Sequence, residues 1–281
     1  MPAGSDRRAP GGTATRRTTL RICALAALAG LAAAVAQAAD CARPLYLTLD
    51  TGHMGVAPLV AEVLQRQQVK ATFFIANEKT LTGGTSLDAS WAPWWKQRAA
   101  EGHLFGSHTY DHVYWRADRA DGSFDTQASF GPQAGQRVVM TAAQYCAALR
   151  ASARRYSEMT GQAMAPLFRA PGGKTSPALL AAAQRCGWQH VGWSDAGFLG
   201  DELPSDRYPN AELLARALRD IRSGDVLLAH LGIWSRQDAW APAVLEPLLT
   251  GLKQRGFCFE TLASHPSYRA AVASGPAPTQ P

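Results

Sequence analysis

Apolar runs of strand length alternate with stretches of helical periodicity along most of this chain. Leu45 to Leu49 is the first such run, and Val56 to Gln67 follows it with apolar residues at helical spacing. Ala71 to Ala76 precedes a helical stretch from Ala92 to Ala100, and Leu104 to Ser107 reads as the third strand. Thr141 to Thr160 is helical, then Leu167 to Arg169 leads into Ser176 to Cys186. His190 to Trp193 leads into Asn210 to Arg222, Asp225 to Ala229 into Ala241 to Arg255, and Phe257 to Phe259 closes the series. Seven strands alternating with helices predict an α/β fold, a parallel sheet covered by helices and either open or curled into a barrel. Two long segments interrupt the rhythm: Lys79 to Trp91, rich in Gly, Ser and Thr, and Val113 to Val139, which carries Tyr114, Trp115, Phe124 and Phe130. Both read as loops at the C-terminal ends of strands, where such folds build their sites.

In a parallel sheet the residues just past each strand share one rim. Here they are Asp50-Thr51-Gly52-His53, then His108 and His112, then Arg169-Ala170-Pro171-Gly172-Gly173, then Ser194-Asp195, then His230. Carboxylate, imidazole and guanidinium groups from distant parts of the chain thus converge on one edge, the arrangement of an active site. His108 and His112 are four residues apart, which on a helical turn places both imidazoles on one face, able to hold a metal ion.

Composition changes this picture at the amino terminus. Arg7, Arg8, Arg16, Arg17 and Arg21 precede an apolar run from Ile22 to Ala36, and Ala36-Gln37-Ala38 offers a small-x-small cleavage pattern. Residues 1–38 are read as a signal peptide, with a twin arginine at Arg16-Arg17 in a weak context for folded export. Of the net charge of +6, this segment supplies +4, so the high pI belongs largely to the leader and no nucleic-acid partner is expected. The expected destination is the periplasm or the outside of the cell, with no stable membrane insertion after cleavage and a monomeric chain. Residues 39–270 form the predicted domain, and residues 271–281, rich in Pro and Ala from Ser274 onward, a disordered tail.

Four cysteines remain beyond the leader: Cys41, Cys146, Cys186 and Cys258. In an oxidising compartment they predict two disulfides, four buried thiols being the alternative. Cys41 adjoins the first strand and Cys258 sits in the last, neighbours in a nearly closed barrel. This favours Cys41–Cys258 with Cys146–Cys186. No C-x-x-C pair is present, against a thiolate zinc site.

The ordered series Leu47-Thr48-Leu49-Asp50, His108-Thr-x-x-His112, Arg169-x-Pro-Gly172, Asp195 and Leu228-x-His230 resembles the motifs of the polysaccharide deacetylases with a NodB-like domain, carbohydrate esterase family 4. The likeness spans roughly 220 residues. It implies a deformed (β/α)7 barrel, related to the TIM barrel, and metal-dependent removal of N- or O-acetyl groups from a glycan. It further implies Asp50 as general base, Arg169 orienting it, the Gly172 backbone N–H donating to the oxyanion, His230 as general acid with Asp195 tuning it, and His108 and His112 as ligands of a divalent ion, zinc favoured. A divalent ion activates water and polarises a carbonyl, a carboxylate takes a proton and an imidazole returns one near neutral pH, so these residue types suit the reaction.

The chain departs from the family at Thr51, where a second aspartate usually ligates the metal; a neutral hydroxyl is a poor substitute. Three alternatives stay open: His53 supplies a third imidazole, Asp50 moves onto the metal and leaves the base role to a group such as Asp111, or water fills the place. Trp115, Trp193 and Trp234 lie near the rim and are read as stacking on sugar rings, while Trp95 and Trp188 are assigned to the core. Asp201 is a fallback metal or orienting carboxylate. The competing functional readings are a catalytically silent glycan-binding protein on the same scaffold and a C–N hydrolase of a small linear amide.

Overall fold

The structure is a computed structural model that describes residues 41–278. The predicted leader, residues 1–38, lies outside them. Strands β1 (Pro44–Asp50), β2 (Thr72–Ile75) and β3 (Leu104–Ser107) alternate with helices α1 (Ala57–Arg66) and α2 (Ala92–Ala100). Strands β4 (Val113–Asp118), β5 (Phe124–Ala128) and β6 (Arg137–Met140) follow, then helix α3 (Ala142–Thr160). Alternation resumes with β7 (Leu167–Phe168), α4 (Pro177–Arg185), β8 (Gln189–His190), α5 (Asn210–Asp220) and β9 (Val226–His230). Helix α6 (Glu246–Gln254), entered through a π-helical segment Ala241–Leu245, strand β10 (Cys258–Phe259) and helix α7 (Arg269–Ala273) complete the chain.

Seven strands form the main parallel sheet, in the order β10-β1-β2-β3-β7-β8 with β9 also on β1. The ring closes between β8 and β9 through a thin seam: Ser194 N–H donates to Val226 O at 3.1 Å, Leu199 N–H to Leu228 O at 3.4 Å, and Phe198 bridges Leu228. This is the expected deformed (β/α)7 barrel, distorted because two-residue strands and a single bridge stand where full ladders would run. The central strand β1 is covered on both faces: Leu45, Leu47 and Leu49 are buried on one, and Tyr46, Thr48 and Asp50 on the other.

Helix boundaries follow local chemistry. Helix α3 opens with a capping box, Thr141 accepting from the Gln144 N–H and the Gln144 side chain accepting from the Thr141 N–H. It closes on Gly161 at φ 71°, the left-handed position glycine takes without strain. Helix α4 is capped by Ser176, whose hydroxyl accepts from the Leu179 N–H ahead of Pro177 at the first helical position.

Two expectations differ from the structure and two agree with it. Residues 113–139, read as a loop, form an antiparallel meander in the order β4-β5-β6. Its alternation is obscured by charged and polar residues on an exposed face, and α3 covers Phe124 against Tyr145 on the other. The tail, expected to be disordered from 271, is helical to Ala273, and Ala277 is buried with its N–H donating to Met164 O at 2.7 Å. The two disulfides form as paired above, Cys41 with Cys258 and Cys146 with Cys186. Trp95 and Trp188 are both fully buried.

Candidate active site

Asp50 ends β1 in register with His230 on β9, so the two side chains leave adjacent parallel strands abreast. On the other flank of β1, Asp50 is in register with Phe74, and β2 is in turn paired to β3, which delivers His108. All these strands run parallel, so every one of these groups emerges at the same C-terminal rim.

Asp50 is buried, and the fully buried Arg169 holds it: Nη1 donates to Oδ1 at 2.8 Å. Nε donates to Val191 O at 3.3 Å and Nη2 to Gly192 O at 3.0 Å, and the Phe74 ring lies 4.5 Å below the cation. A buried guanidinium anchored through all three of its nitrogens has one orientation, and it gives the carboxylate one too.

The histidine pair is brought together by a turn rather than the helical turn expected from the spacing. Thr109 and His112 both have positive φ, 58° and 51°, a left-handed conformation that is unusual for a β-branched residue. The turn is pinned by the Val113 N–H donating to Thr109 Oγ1 at 2.7 Å. The imidazoles end with centroids 4.8 Å apart. His108 Nδ1 sits 2.8 Å from Arg169 O; a carbonyl only accepts, so Nδ1 carries the proton and Nε2 presents its lone pair, 3.5 Å from Asp50 Oδ2. His112 Nδ1 is likewise engaged, by Ser129 Oγ at 3.0 Å. Burial pushes His108 down to about 3 and His112 well below its usual value, so both rings are neutral, the form that binds metals. Neutral imidazoles held from behind beside a carboxylate fit a divalent cation. Among the described residues, however, no three His, Cys, Asp or Glu side chains close on one point as they stand.

The carboxylate at His230 is Asp201, not Asp195. Asp201 accepts the His230 backbone N–H at 2.7 Å and lies 3.1 Å from Nδ1, whereas Asp195 is exposed in the short turn after β8. The loop from 195 folds back along β9, which carries the sixth residue on, rather than the first, up to the imidazole. Burial by itself pushes His230 down, but Asp201, with Asp50 and Glu202, outweighs it and holds the ring up to about 9. His230 is therefore an imidazolium at neutral pH.

His53 does not line the cavity around His108 and His112. Its Nδ1 lone pair accepts the Gly55 N–H at 3.0 Å, which leaves the proton on Nε2 and no lone pair for a metal, and its ring packs edge-on to Trp234 at 5.2 Å. Trp115 is also directed elsewhere, its indole N–H donating to Asp118 Oδ1 at 2.9 Å. Neighbours on a strand face opposite ways, and it is Tyr114 that reaches the cavity, close over Gly172. Trp193, Trp234 and Gly172 do line it. Gly172 has φ 60°, and a Cβ there would meet the Tyr114 ring at 2.7 Å, so backbone is what the wall presents.

Two further acidic residues line the cavity: Glu202, beside Asp201, and Glu78, which the motifs do not point to. Glu78 stands three residues past β2, on the same rim used to find the others; inspecting that strand end would have found it. It is buried, and desolvation pushes it up to about 7 against the opposing hydrogen bond from Thr51. The whole cavity encloses about 310 Å³ and opens past Trp234, which is 52% exposed.

The family model for polysaccharide deacetylases matches residues 37–191. A chitooligosaccharide deacetylase from Azorhizobium caulinodans is 27% identical over 78% of this chain and 92% of its own. A peptidoglycan-N-acetylglucosamine deacetylase from Bacillus cereus is 25% identical over 80% and 89%. In fold, a family 4 acetyl xylan esterase from Clostridium thermocellum, solved with a cobalt ion, superposes with a TM-score of 0.61 at 20% identity, covering 82% of this chain and 93% of that one.

Proposed function

The chain belongs to the polysaccharide deacetylase family, and from that premise we propose that it is a metal-dependent hydrolase removing acetyl groups from an acetylated glycan, N-acetyl groups of peptidoglycan or an exopolysaccharide being favoured. The observation that carries the reading is the pairing of Asp50 with His230 on adjacent strands, one backed by Arg169 and the other by Asp201, with the two imidazoles beside them.

His108 and His112 would hold the ion, zinc favoured, through Nε2; when bound it polarises the acetyl carbonyl and acidifies water. Asp50 takes the proton of the attacking water as its oxygen adds to the acetyl carbon. Arg169 keeps that carboxylate aimed while the charge moves. The backbone N–H at Gly172 donates to the oxygen that becomes negative. His230 gives its proton to the leaving sugar nitrogen as the C–N bond breaks, and the products are acetate and the free amine. Asp201 stabilises the imidazolium until that step. Trp193 and Trp234 offer faces to sugar rings at the mouth. The two disulfides suit an oxidising compartment, and export to the periplasm or beyond through residues 1–38 belongs to the same reading. Among the described residues no helix is long and apolar enough to cross a membrane.

The test is acetate release from chitooligosaccharides, peptidoglycan, acetyl-xylan and a short linear amide, with and without chelator. Release from a glycan, lost in Asp50→Asn and with chelator, is expected; release from the short amide alone would assign a small-amide hydrolase instead. A second reading, a silent glycan-binding protein, is favoured by Thr51, whose hydroxyl is turned to Glu78. It predicts glycan binding that chelator leaves unchanged and no acetate from any substrate.

A further inference from the structure

The site described above has two imidazoles for a cation and an unfilled third place, because position 51 is Thr. Its hydroxyl is committed: Thr51 Oγ1 accepts the Ala76 N–H at 3.1 Å and donates to Glu78 Oε1 at 2.5 Å. With the backbone donor on one side of the oxygen, its own hydrogen has one place to go. The acidic function absent from the end of β1 is therefore present within hydrogen-bond reach of that position, on a residue from the end of the next strand.

We infer that Glu78 replaces the missing aspartate as the third ligand, completing with His108 and His112 a two-imidazole, one-carboxylate set for the divalent ion, with Thr51 as its positioning residue; this rests on the metal-dependent reading above.

Four observations carry it. Glu78 is 6% exposed, where a cation beside it would favour the carboxylate form that burial by itself disfavours. It lines the cavity that also holds Asp50, His108, His112 and His230. Oε1 is held by Thr51, whereas Oε2 has no hydrogen-bond partner among the described residues. Its backbone is fixed on both sides, its N–H donating to Ser86 Oγ at 2.9 Å and its carbonyl accepting the Ser86 N–H at 2.7 Å, so only the side chain is left to move.

The other candidates are committed elsewhere. Recruiting Asp50 through Oδ2, which lies 3.5 Å from His108 Nε2, would take away the base that the mechanism above assigns to the attacking water. His53 has no free lone pair. Asp201 holds His230. Two neutral imidazoles and one carboxylate are also a ligand composition of catalytic zinc sites that leave a position open.

The experiment is direct measurement of Zn²⁺ affinity by competition with a chromogenic chelator, together with the visible absorption spectrum of the Co²⁺-loaded protein, neither of which needs turnover. Glu78→Gln is expected to weaken Zn²⁺ binding on the order of 100-fold, the upper range for disturbing a ligand's surroundings, and to change the Co²⁺ bands. Thr51→Val, which removes only the positioning hydroxyl, is expected to weaken binding about tenfold, with Thr51→Ser restoring it. Returning the carboxylate to β1 in the double variant Thr51→Asp/Glu78→Thr is expected to recover wild-type affinity. That double variant decides the matter if Glu78→Gln fails to fold: recovered affinity supports the relocation, and loss of the ion in a folded protein overturns it. Wild-type affinity and an unchanged Co²⁺ spectrum in Glu78→Gln also overturn it. His108→Ala separates the two levels. If wild type binds, His108→Ala does not, and Glu78→Gln binds as wild type, only the Glu78 assignment fails. If wild type itself binds no divalent ion, the metal-dependent reading fails and takes this one with it.

Discussion

Asp201 grips His230 twice, accepting the backbone N–H at 2.7 Å and facing the ring Nδ1 at 3.1 Å. The pair makes the imidazolium the resting form of His230, raised to about 9 although burial alone would lower it. A group whose pKa is raised on folding stabilises the fold fully below its unfolded value, roughly 6.5, and loses that contribution as pH climbs through its folded value. Wild-type stability is therefore expected to fall between about pH 6.5 and 9 on account of His230. In Asp201→Asn the fall in this window is expected to shrink, and the alkaline limb of kcat/KM is expected to move down by more than one pH unit. Urea melts across pH 6–10 and a pH–rate profile read the two; an alkaline limb that stays put would detach Asp201 from the proton on His230.

Arg169 meets Asp50 with neither exposed to solvent. Removing one partner of a buried pair leaves the other charge stranded, at a cost of about 3–5 kcal/mol. Arg169→Met is expected to lose stability of that order by chemical denaturation. Asp50→Asn, which keeps a hydrogen-bond acceptor for Nη1, is expected to lose less stability and nearly all activity.

Trp234 and Trp115 both lie near the rim in sequence, and the structure separates them. Trp234→Ala, at an exposed position on the cavity mouth, is expected to raise KM for a glycan oligomer about 2- to 10-fold, the worth of one aromatic stacking contact, with the melting temperature nearly unchanged. Trp115→Ala loses the bond to Asp118 and its packing on the core, and is expected to lower stability by about 1–2 kcal/mol while leaving KM alone.

Cys146 and Cys186 tie α3 to the end of α4 across a sequence separation of 40. By the chain-entropy relation, opening a loop of that length costs about 4 kcal/mol at 25 °C. Cys146→Ser/Cys186→Ser is expected to show a loss of this order in guanidinium unfolding against wild type, both measured without reductant so that Cys41–Cys258 stays closed.

The sequence by itself determined the alternation of strands and helices and the rim on which Asp50, His108, His112, Arg169 and His230 gather, and it favoured the disulfide pairing that the structure shows. Periodicity and burial act locally, and a parallel sheet converts strand order into a shared edge with no further information. What only the tertiary structure decided is which neighbour each of these groups touches. The same rule that places a residue at a strand end says nothing of where a loop goes next. So Asp201 rather than Asp195 arrives at His230, Tyr114 rather than Trp115 faces Gly172, and the histidines meet through a left-handed turn at Thr109. The hydrogen bond from Thr51 to Glu78 is the clearest case. Read along the chain, Thr51 is a missing carboxylate; across the β1–β2 pair, it is the residue that holds one.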